Sequence, residues 1–451
     1  MAPLEYLASG LQSGQLTSRA LVEACLERAL DPHGEGARTF ISVDAHAVRA
    51  QADVIDAARR SGAEQRPFAG VPISVKDLFD VQGQVTTAGS AVLRGEPAAQ
   101  QDALAVARLK AAGFLVVGRT NMTEFAYSGL GINPHYGTPA NAFDRQARRI
   151  PGGSSSGAAI SVTDGMAAAA LGSDTGGSCR IPAALNGLVG YKPTASRVPL
   201  QGTFALSPSL DSIGPIAPSV QCCADLFGVL SATPFALNRG EPRLLRLALV
   251  QTVVLDGLDA QVAQAFFRAV TRLSAAGVRV QERQIPPFAD LAQANARGGL
   301  VSAQAYAAHR ERLQRDGVQY DPRVRVRIEK GAMQTPDEYT FLLEFRRSWM
   351  QAVEAAMHDV DFLVCPTVPT IAPTIDALQS EEAYGEANLA MLRNPTFANF
   401  LDGCAISVPC HTPGDAPVGL MLIGRHGDDE LLLSAAARVE SILQKWPAMA
   451  R

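Results

Sequence analysis

Three consecutive serines, Ser154, Ser155 and Ser156, stand between the glycine pair Gly152–Gly153 and Gly157, and a further serine, Ser178, follows a second pair, Gly176–Gly177. The stretch that holds them is IPGGSSSGAAISVTDGMAAAALGSDTGGSCR (150–180). A flexible linker would be polar throughout. This stretch instead embeds Ile160, Val162, Met166 and Leu171, with Ile181 just beyond, and those residues require burial. Buried Gly and Ser at tight spacing bring bare backbone N–H groups and hydroxyls close to a partner. Such groups can cradle an anion, or can combine a nucleophile with donors for an oxyanion.

Three chemistries compete for these residues. A phosphate loop needs G-x-x-x-x-G-K-[ST], which is absent, and no G-x-G-x-x-G follows a strand. Gly153-Ser154-Ser155-Ser156-Gly157 matches the G-x-S-x-G of a hydrolase nucleophile elbow. That turn needs an apolar strand before it, whereas Arg148-Arg149-Ile150-Pro151-Gly152 precede, and no later His sits in a catalytic setting. The third chemistry is serine hydrolysis with a base other than histidine. A serine hydroxyl is a weak nucleophile until a neighbour takes its proton. Lysine can do so if burial lowers its pKa from about 10.4 toward neutrality. Lys76 ends the apolar run VPISVK, where such burial is expected, and one serine can relay another's proton to that amine.

The elements that must position these groups read as α/β. QLTSRALVEACLERAL (15–30) predicts a helix capped by Thr17 or Ser18, and a second helix covers about 44–60. Val71–Val75 predicts a short buried strand running into Lys76. A helix over 103–112, a strand at FLVVG (114–118) and a turn-to-helix at RTNMTEFAYS (119–128) follow. GLVGYKPT and the Pro-rich 198–218 read as irregular loops crossing the core. Strands at 245–250 and 278–284 flank a helix near 258–276, residues 286–358 are helical and Arg-rich, and 361–369, 406–410 and 418–424 are strands closed by a helix over 428–444.

The chain has 451 residues, 47% hydrophobic and 19% charged, with a formal net charge of −4. That composition suits a globular protein with a large core and offers no electrostatic attraction to nucleic acid or an anionic membrane. The start, MAPLEYLASGLQSGQ, lacks a basic region followed by an apolar one, so a cytoplasmic location is expected. The seven cysteines show no C-x-x-C and are expected to be reduced and buried. The seven histidines form no metal-ligand pattern, and neither a metal nor an organic cofactor is expected.

GVPISVKDLFDV, RTNMTEFAYSG, GGSSSG, GSDTGGSCRIPA, GLVGYKPT, SLDSIGP and VPCHTPGDAPVGLMLIG together resemble the amidase signature hydrolases, which use a Ser–cis-Ser–Lys triad. The resemblance covers nearly the whole chain. It implies one domain over 1–451, the amidase signature fold: a large mixed central β-sheet with helices on both faces. Residues of about 286–358 are then a variable helical region contributing to the substrate pocket. Ser178 matches the nucleophile, Ser154 the cis-serine and Lys76 the base. The N–H groups of Thr175, Gly176, Gly177 and Ser178 match the oxyanion hole, and Ser155 and Ser173 match supporting hydroxyls. Met122, Phe125 and Tyr127 lie where relatives line the acyl pocket. Asp174 and Arg180 are expected to form a structural ion pair, Cys179 to fill space, His135 to support a loop, and Arg346 and Arg347 to lie on a solvated helix face.

The resemblance implies an amidohydrolase of small or aryl amides working through an acyl-enzyme, with ester or carbamate cleavage alongside, as a monomer or homodimer. Other members are ureido or carboxybiuret hydrolases, or glutamine-hydrolysing subunits of tRNA-dependent amidotransferases. From the latter the chain departs in 286–358 and in ALNG, which replaces a Phe-Cys-Gly ending. A non-catalytic binding relative is the remaining alternative.

Overall fold

A computed structural model of the chain describes residues 2–238 and 244–445. Within it, β1 (Phe40–Ser42), β2 (Pro72–Lys76), β3 (Leu115–Thr120), β4 (Ala169–Asp174), β5 (Val189–Lys192), β6 (Ser212–Ala217), β7 (Arg246–Val250), β8 (Arg279–Arg283), β9 (Phe362–Pro366), β10 (Ala405–Pro409) and β11 (Gly419–Ile423) form one sheet. Their order is β1-β3-β2-β4-β6-β5-β10-β11-β9-β7-β8. β2 runs parallel to β3 and β4, and β7 parallel to β8 and β9, while the strands between β4 and β9 pair antiparallel.

The apolar runs are strands buried on both faces, because successive side chains point to opposite sides. Leu247, Leu249, Phe362, Val364, Leu420 and Leu422 enter one core. The residues that alternate with them, Ala248, Val250, Leu363, Cys365, Met421 and Ile423, enter another. Helices cover both cores. Ser18–Ala29 begins at Thr17, whose side chain accepts from the Ala20 N–H at 3.1 Å. Ala45–Arg60 begins at Asp44, which does the same for Ala47. Asp429–Lys445 is the last described helix. None of the described helices is long and apolar enough to cross a membrane.

Two expected loops are strands. GLVGYKPT contributes β5, and SIGPIA within the Pro-rich stretch is β6, at the centre of the sheet. Gly214 and Pro215 break strands in isolation, but pairing partners override that local preference. Pro215 stands opposite Leu171, and a Cβ at Gly214 would lie 1.9 Å from the Tyr191 carbonyl oxygen, so only glycine lets β5 and β6 approach. RTNMTEFAYS, expected to turn into a helix, makes a single 3₁₀ turn at Glu124–Ala126. Its N–H groups are taken by tertiary partners: Thr123 donates to Ser154 O and Phe125 to Ala88 O.

A long helix, Glu381–Phe400, is not evident in the sequence pattern. Pro395 inside it masks the helical periodicity. Ser380 caps its start, accepting from the Ala383 N–H at 3.1 Å. The 286–358 region forms the helices Pro287–Ala294, Gly299–Asp316, Pro322–Glu329 and Pro336–Ala356, and it is joined to this helix by aromatic packing. Phe288 stacks on Phe397 with centroids 3.8 Å apart, and Trp349 stacks on Phe288 at 5.7 Å.

Candidate active site

Lys76 is the last residue of β2, with β3 on one side and β4 on the other, and it is fully buried. Its Nζ lies 2.7 Å from Ser154 Oγ and 2.8 Å from Ser173 Oγ. No carboxylate stands within ion-pair distance of it among the described residues. Removal from water therefore dominates: the pKa falls from 10.5 to about 7, although Asp174 and Asp211 pull it upward. An amine near neutrality, touching two hydroxyls, is able to accept a proton.

The serines are brought to it by backbone bonds. The Gly153–Ser154 peptide is cis. Gly153 N–H donates to Gly129 O at 2.8 Å, and a Cβ on Gly153 would lie 2.5 Å from Gly131 N. Ser155 N–H donates to Ser178 O at 3.3 Å, which seats the triple serine beside Ser178, and Ser155 Oγ donates to Ser173 O at 3.3 Å. Ser178 is not an N-cap: the helix Arg180–Leu185 has Cys179 in that position and no side-chain cap. Its hydroxyl has no hydrogen-bond partner among the described residues, and only 3% of the residue is exposed.

The turn GSDTGGS is clamped from below. Asp174 accepts from the N–H groups of Gly177 (2.8 Å) and Cys179 (3.1 Å), from Arg180 Nε and Nη2 (3.1 and 2.9 Å), and from Asn399 Nδ2 (2.9 Å). Burial alone would raise its pKa, but the Arg180 guanidinium holds it well below the usual carboxylate range. Arg180 also donates to Asn399 Oδ1 and Pro395 O, tying the turn to Glu381–Phe400. The Asp174–Arg180 pair is the expected structural one, and breaking it would leave a buried charge at a cost of about 3–5 kcal/mol.

Four N–H groups were expected to face an oxyanion, but Gly177, with φ of 122°, turns its N–H to Asp174. The N–H groups of Thr175, Gly176 and Ser178 have no hydrogen-bond partner among the described residues. Thr175 is fixed by its side chain, whose Oγ1 donates to Asp211 Oδ1 at 2.5 Å.

Asp211 was not singled out in the sequence, although it lies in SLDSIGP. Burial pushes its pKa up, while its Oδ2 accepts from the N–H groups of Leu206 and Ser207. The loop holding it is gripped by the 286–358 helices: Ser207 Oγ donates to Gln304 Oε1 at 2.8 Å, and Arg346 Nη1 donates to Ser209 O at 2.9 Å. Arg346 also donates to Phe400 O and Asn399 O, so it is a staple rather than a residue of a solvated face; Arg347 is exposed as expected. Asn399 and Gln304 carry no local signal, being ordinary polar residues on helices.

Met122 and Phe125, expected at the acyl pocket, are 0% and 1% exposed. Phe125 packs among Phe204, His309 and Tyr320, with centroids 4.4–5.4 Å away. Tyr127 is the one residue of that segment that is not fully buried, its hydroxyl 2.7 Å from Ser302 Oγ. His135 supports its loop through Glu124 Oε1 at 2.8 Å. Cys179 is a buried filler whose thiol burial pushes well up in pKa.

The same arrangement can be set beside known proteins. The family model described as Amidase matches residues 20–433. The chain is 33% identical to 2-amino-5-chloromuconic acid deaminase of Comamonas testosteroni over 448 residues, covering 98% of this chain and 96% of that protein. It is 35% identical to a glutamyl-tRNA(Gln) amidotransferase subunit of Roseiflexus sp. (strain RS-1) over 469 residues, covering 94% and 92%. A crystal structure of an amidase superposes with a TM-score of 0.89 at 31% identity, covering 98% of this chain and all of that one. A family match across nearly the whole length, on the expected fold, settles the class: the chain belongs to the amidase family and is an amidohydrolase acting on C–N bonds.

Proposed function

We propose that Ser178 is the acyl-accepting nucleophile, Ser154 the proton relay and Lys76 the base. The observation that carries this reading is a fully buried lysine, with its pKa near 7, 2.7 Å from the hydroxyl of a serine seated beside Ser178, whose own hydroxyl has no hydrogen-bond partner among the described residues. Neutral Lys76 accepts the Ser154 proton as Ser154 accepts that of Ser178, and Ser178 Oγ attacks the amide carbonyl. The N–H groups of Thr175, Gly176 and Ser178 stabilise the oxyanion, in a turn held by the Thr175–Asp211 bond and the Asp174 clamp. The relay returns the proton to the leaving nitrogen, and water then cleaves the acyl-enzyme by the reverse path. Ser173 and Ser155 orient the lysine and the turn.

The substrate reading is a small or aryl carboxamide, with ester or carbamate cleavage alongside, and 286–358 forms part of the pocket wall through the Tyr127–Ser302 contact. The similar deaminase is named for 2-amino-5-chloromuconic acid, which favours small polar substrates over long chains. A second reading, a glutamine-hydrolysing subunit, is favoured by the similarity to the amidotransferase of Roseiflexus. Hydrolysis by the purified chain of anilide, aliphatic amide, carbamate, ester and glutamine substrates separates them. Turnover of one class without added protein supports the first; activity on glutamine that appears only with partner subunits replaces it with the second.

Asp211→Ala tests the loop support. Alanine removes at once the acceptor of Thr175 Oγ1 and of the Leu206 and Ser207 N–H groups, whereas an asparagine keeps all three contacts because the Thr175 hydroxyl can turn to accept from its NH₂. With the acceptor gone, the oxyanion donors shift. We expect kcat to fall roughly tenfold to a hundredfold with KM little changed. An unchanged kcat would remove Asp211 from the positioning set.

A further inference from the structure

The helix Pro322–Glu329 carries Arg323 and Arg327 one turn apart, and both guanidinium groups lie over the ring of Tyr384, at 4.4 and 4.9 Å from its centroid. Two like charges on one ring repel unless anions offset them. Arg323 has Glu381 at 3.0 Å and also donates to Leu378 O and Gln379 O. Arg327 makes one hydrogen bond, from Nη1 to Tyr127 O at 3.2 Å, and has no carboxylate within ion-pair distance among the described residues. Its Nε and Nη2 edge, the fork that matches a carboxylate, is unpartnered.

The place of this fork relative to the reacting atoms follows from two side chains. Leu392 Cδ2 lies 3.3 Å from where a Cβ on Gly129 would be and 3.5 Å from where one on Gly176 would be. Ile181 Cδ1 likewise lies 3.3 Å from the Gly129 position and 2.8 Å from that of Gly177, so Gly129 and the oxyanion turn pack against the same two side chains. Tyr127, which holds Arg327, is two residues from Gly129, at most roughly 7 Å. Tyr384 is fastened to the same backbone, its hydroxyl donating to Ser128 Oγ at 2.9 Å, so the arginine's platform is fixed to the site wall.

We propose that Arg327 is a specificity residue that receives a carboxylate at the far end of the substrate's acyl chain, making the preferred substrate the half-amide of a dicarboxylic acid. The inference rests on Ser178 being the nucleophile of an amidase. The carboxylate supplies the counter-charge that Arg327 lacks among the described residues, Glu381 being held by Arg323, and the amide end reaches Ser178 across Leu392. The product is then a dicarboxylate.

The test is hydrolysis of the half-amides of succinic, glutaric, adipic and pimelic acids beside the neutral amides of equal chain length. Wild type is compared with Arg327→Gln, Arg327→Lys and, as control, Arg325→Gln, whose guanidinium is paired with Glu329. We expect one chain length to be preferred as the half-amide. The ratio of kcat/KM, half-amide over neutral amide, falls roughly tenfold to a hundredfold in Arg327→Gln, recovers in part in Arg327→Lys, and is unmoved in Arg325→Gln. A wild-type ratio near one at every length, or a ratio that Arg327→Gln leaves alone, overturns the proposal. If wild type turns over neither series, the amidase reading for such amides fails by itself. Calorimetric titration of glutarate and adipate into Ser178→Ala and into Ser178→Ala/Arg327→Gln then decides the carboxylate site. Binding lost with Arg327 sustains it, and equal or absent binding overturns it.

Discussion

Replacing Ser178 by alanine is expected to abolish turnover, by roughly 10⁶-fold in kcat, while leaving the thermal transition within a degree or two of wild type. The loss is large because no other hydroxyl can substitute: Ser154 and Ser173 are both held against Lys76, and residues acting as a unit fail together. The fold is spared because the Ser178 hydroxyl makes no hydrogen bond among the described residues and caps no helix. What Ser178 contributes to the architecture is its carbonyl, which accepts from Ser155 N–H, and alanine keeps it. Asp174→Ala is the instructive contrast. It too would lose activity, but through an uncompensated Arg180 in the interior, and its melting temperature would drop. Turnover persisting in Ser178→Ala, on any substrate the wild type accepts, would exclude the proposed nucleophile.

The second large effect is on Lys76 and is read through pH. With its pKa near 7, the neutral fraction is about one tenth at pH 6 and about one hundredth at pH 5. We expect kcat/KM to fall by about a factor of ten per pH unit below 6.5 and to level off above 8. Lys76→Met should cost roughly 10²–10⁴-fold and erase that acid limb. Stability also rises with pH, in a higher window. A lysine whose folded pKa lies below its unfolded value leaves the folded state with fewer bound protons between about pH 7 and 10.5. Stability therefore rises with pH across that window, and the full cost of burial is present below it. Lys76→Met removes the cost, so at pH 7 and below the variant should melt at or above the wild-type temperature. A pH profile flat to pH 5, or a strongly destabilised methionine variant, would make Lys76 a structural cation instead of a base.

Much of the site is legible in the residues alone. VPISVK announces a buried strand ending in lysine, and burial of that amine is what lowers its pKa. GGSSSG and GSDTGGS bracket a run of small and apolar residues that asks for burial, although the strand Ala169–Asp174 that leads into the second motif is not assigned by the sequence pattern. The parts that are not legible share a cause, namely that each depends on a distant partner. SIGPIA reads as a breaker sequence until β4 and β5 stand on either side of it. Pro395 hides a helix whose turns are stabilised by packing under Arg180 and Trp349. Arg346 looks like half of a solvated pair until three backbone carbonyls converge on it.

The chemistry proposed for this protein, a serine with a lysine for its base, is a reading that the sequence itself offers, because residue type and expected burial suffice to nominate a nucleophile and an amine. The tertiary structure alone decided which N–H groups are unpartnered among the described residues, since Gly177 yields its own to Asp174 while Thr175, Gly176 and Ser178 do not. It also decided which arginine near the site has no counter-charge among the described residues. Hydrogen-bond partners and ion pairs form between elements hundreds of residues apart. No local pattern records which donor or cation that folding leaves unpaired.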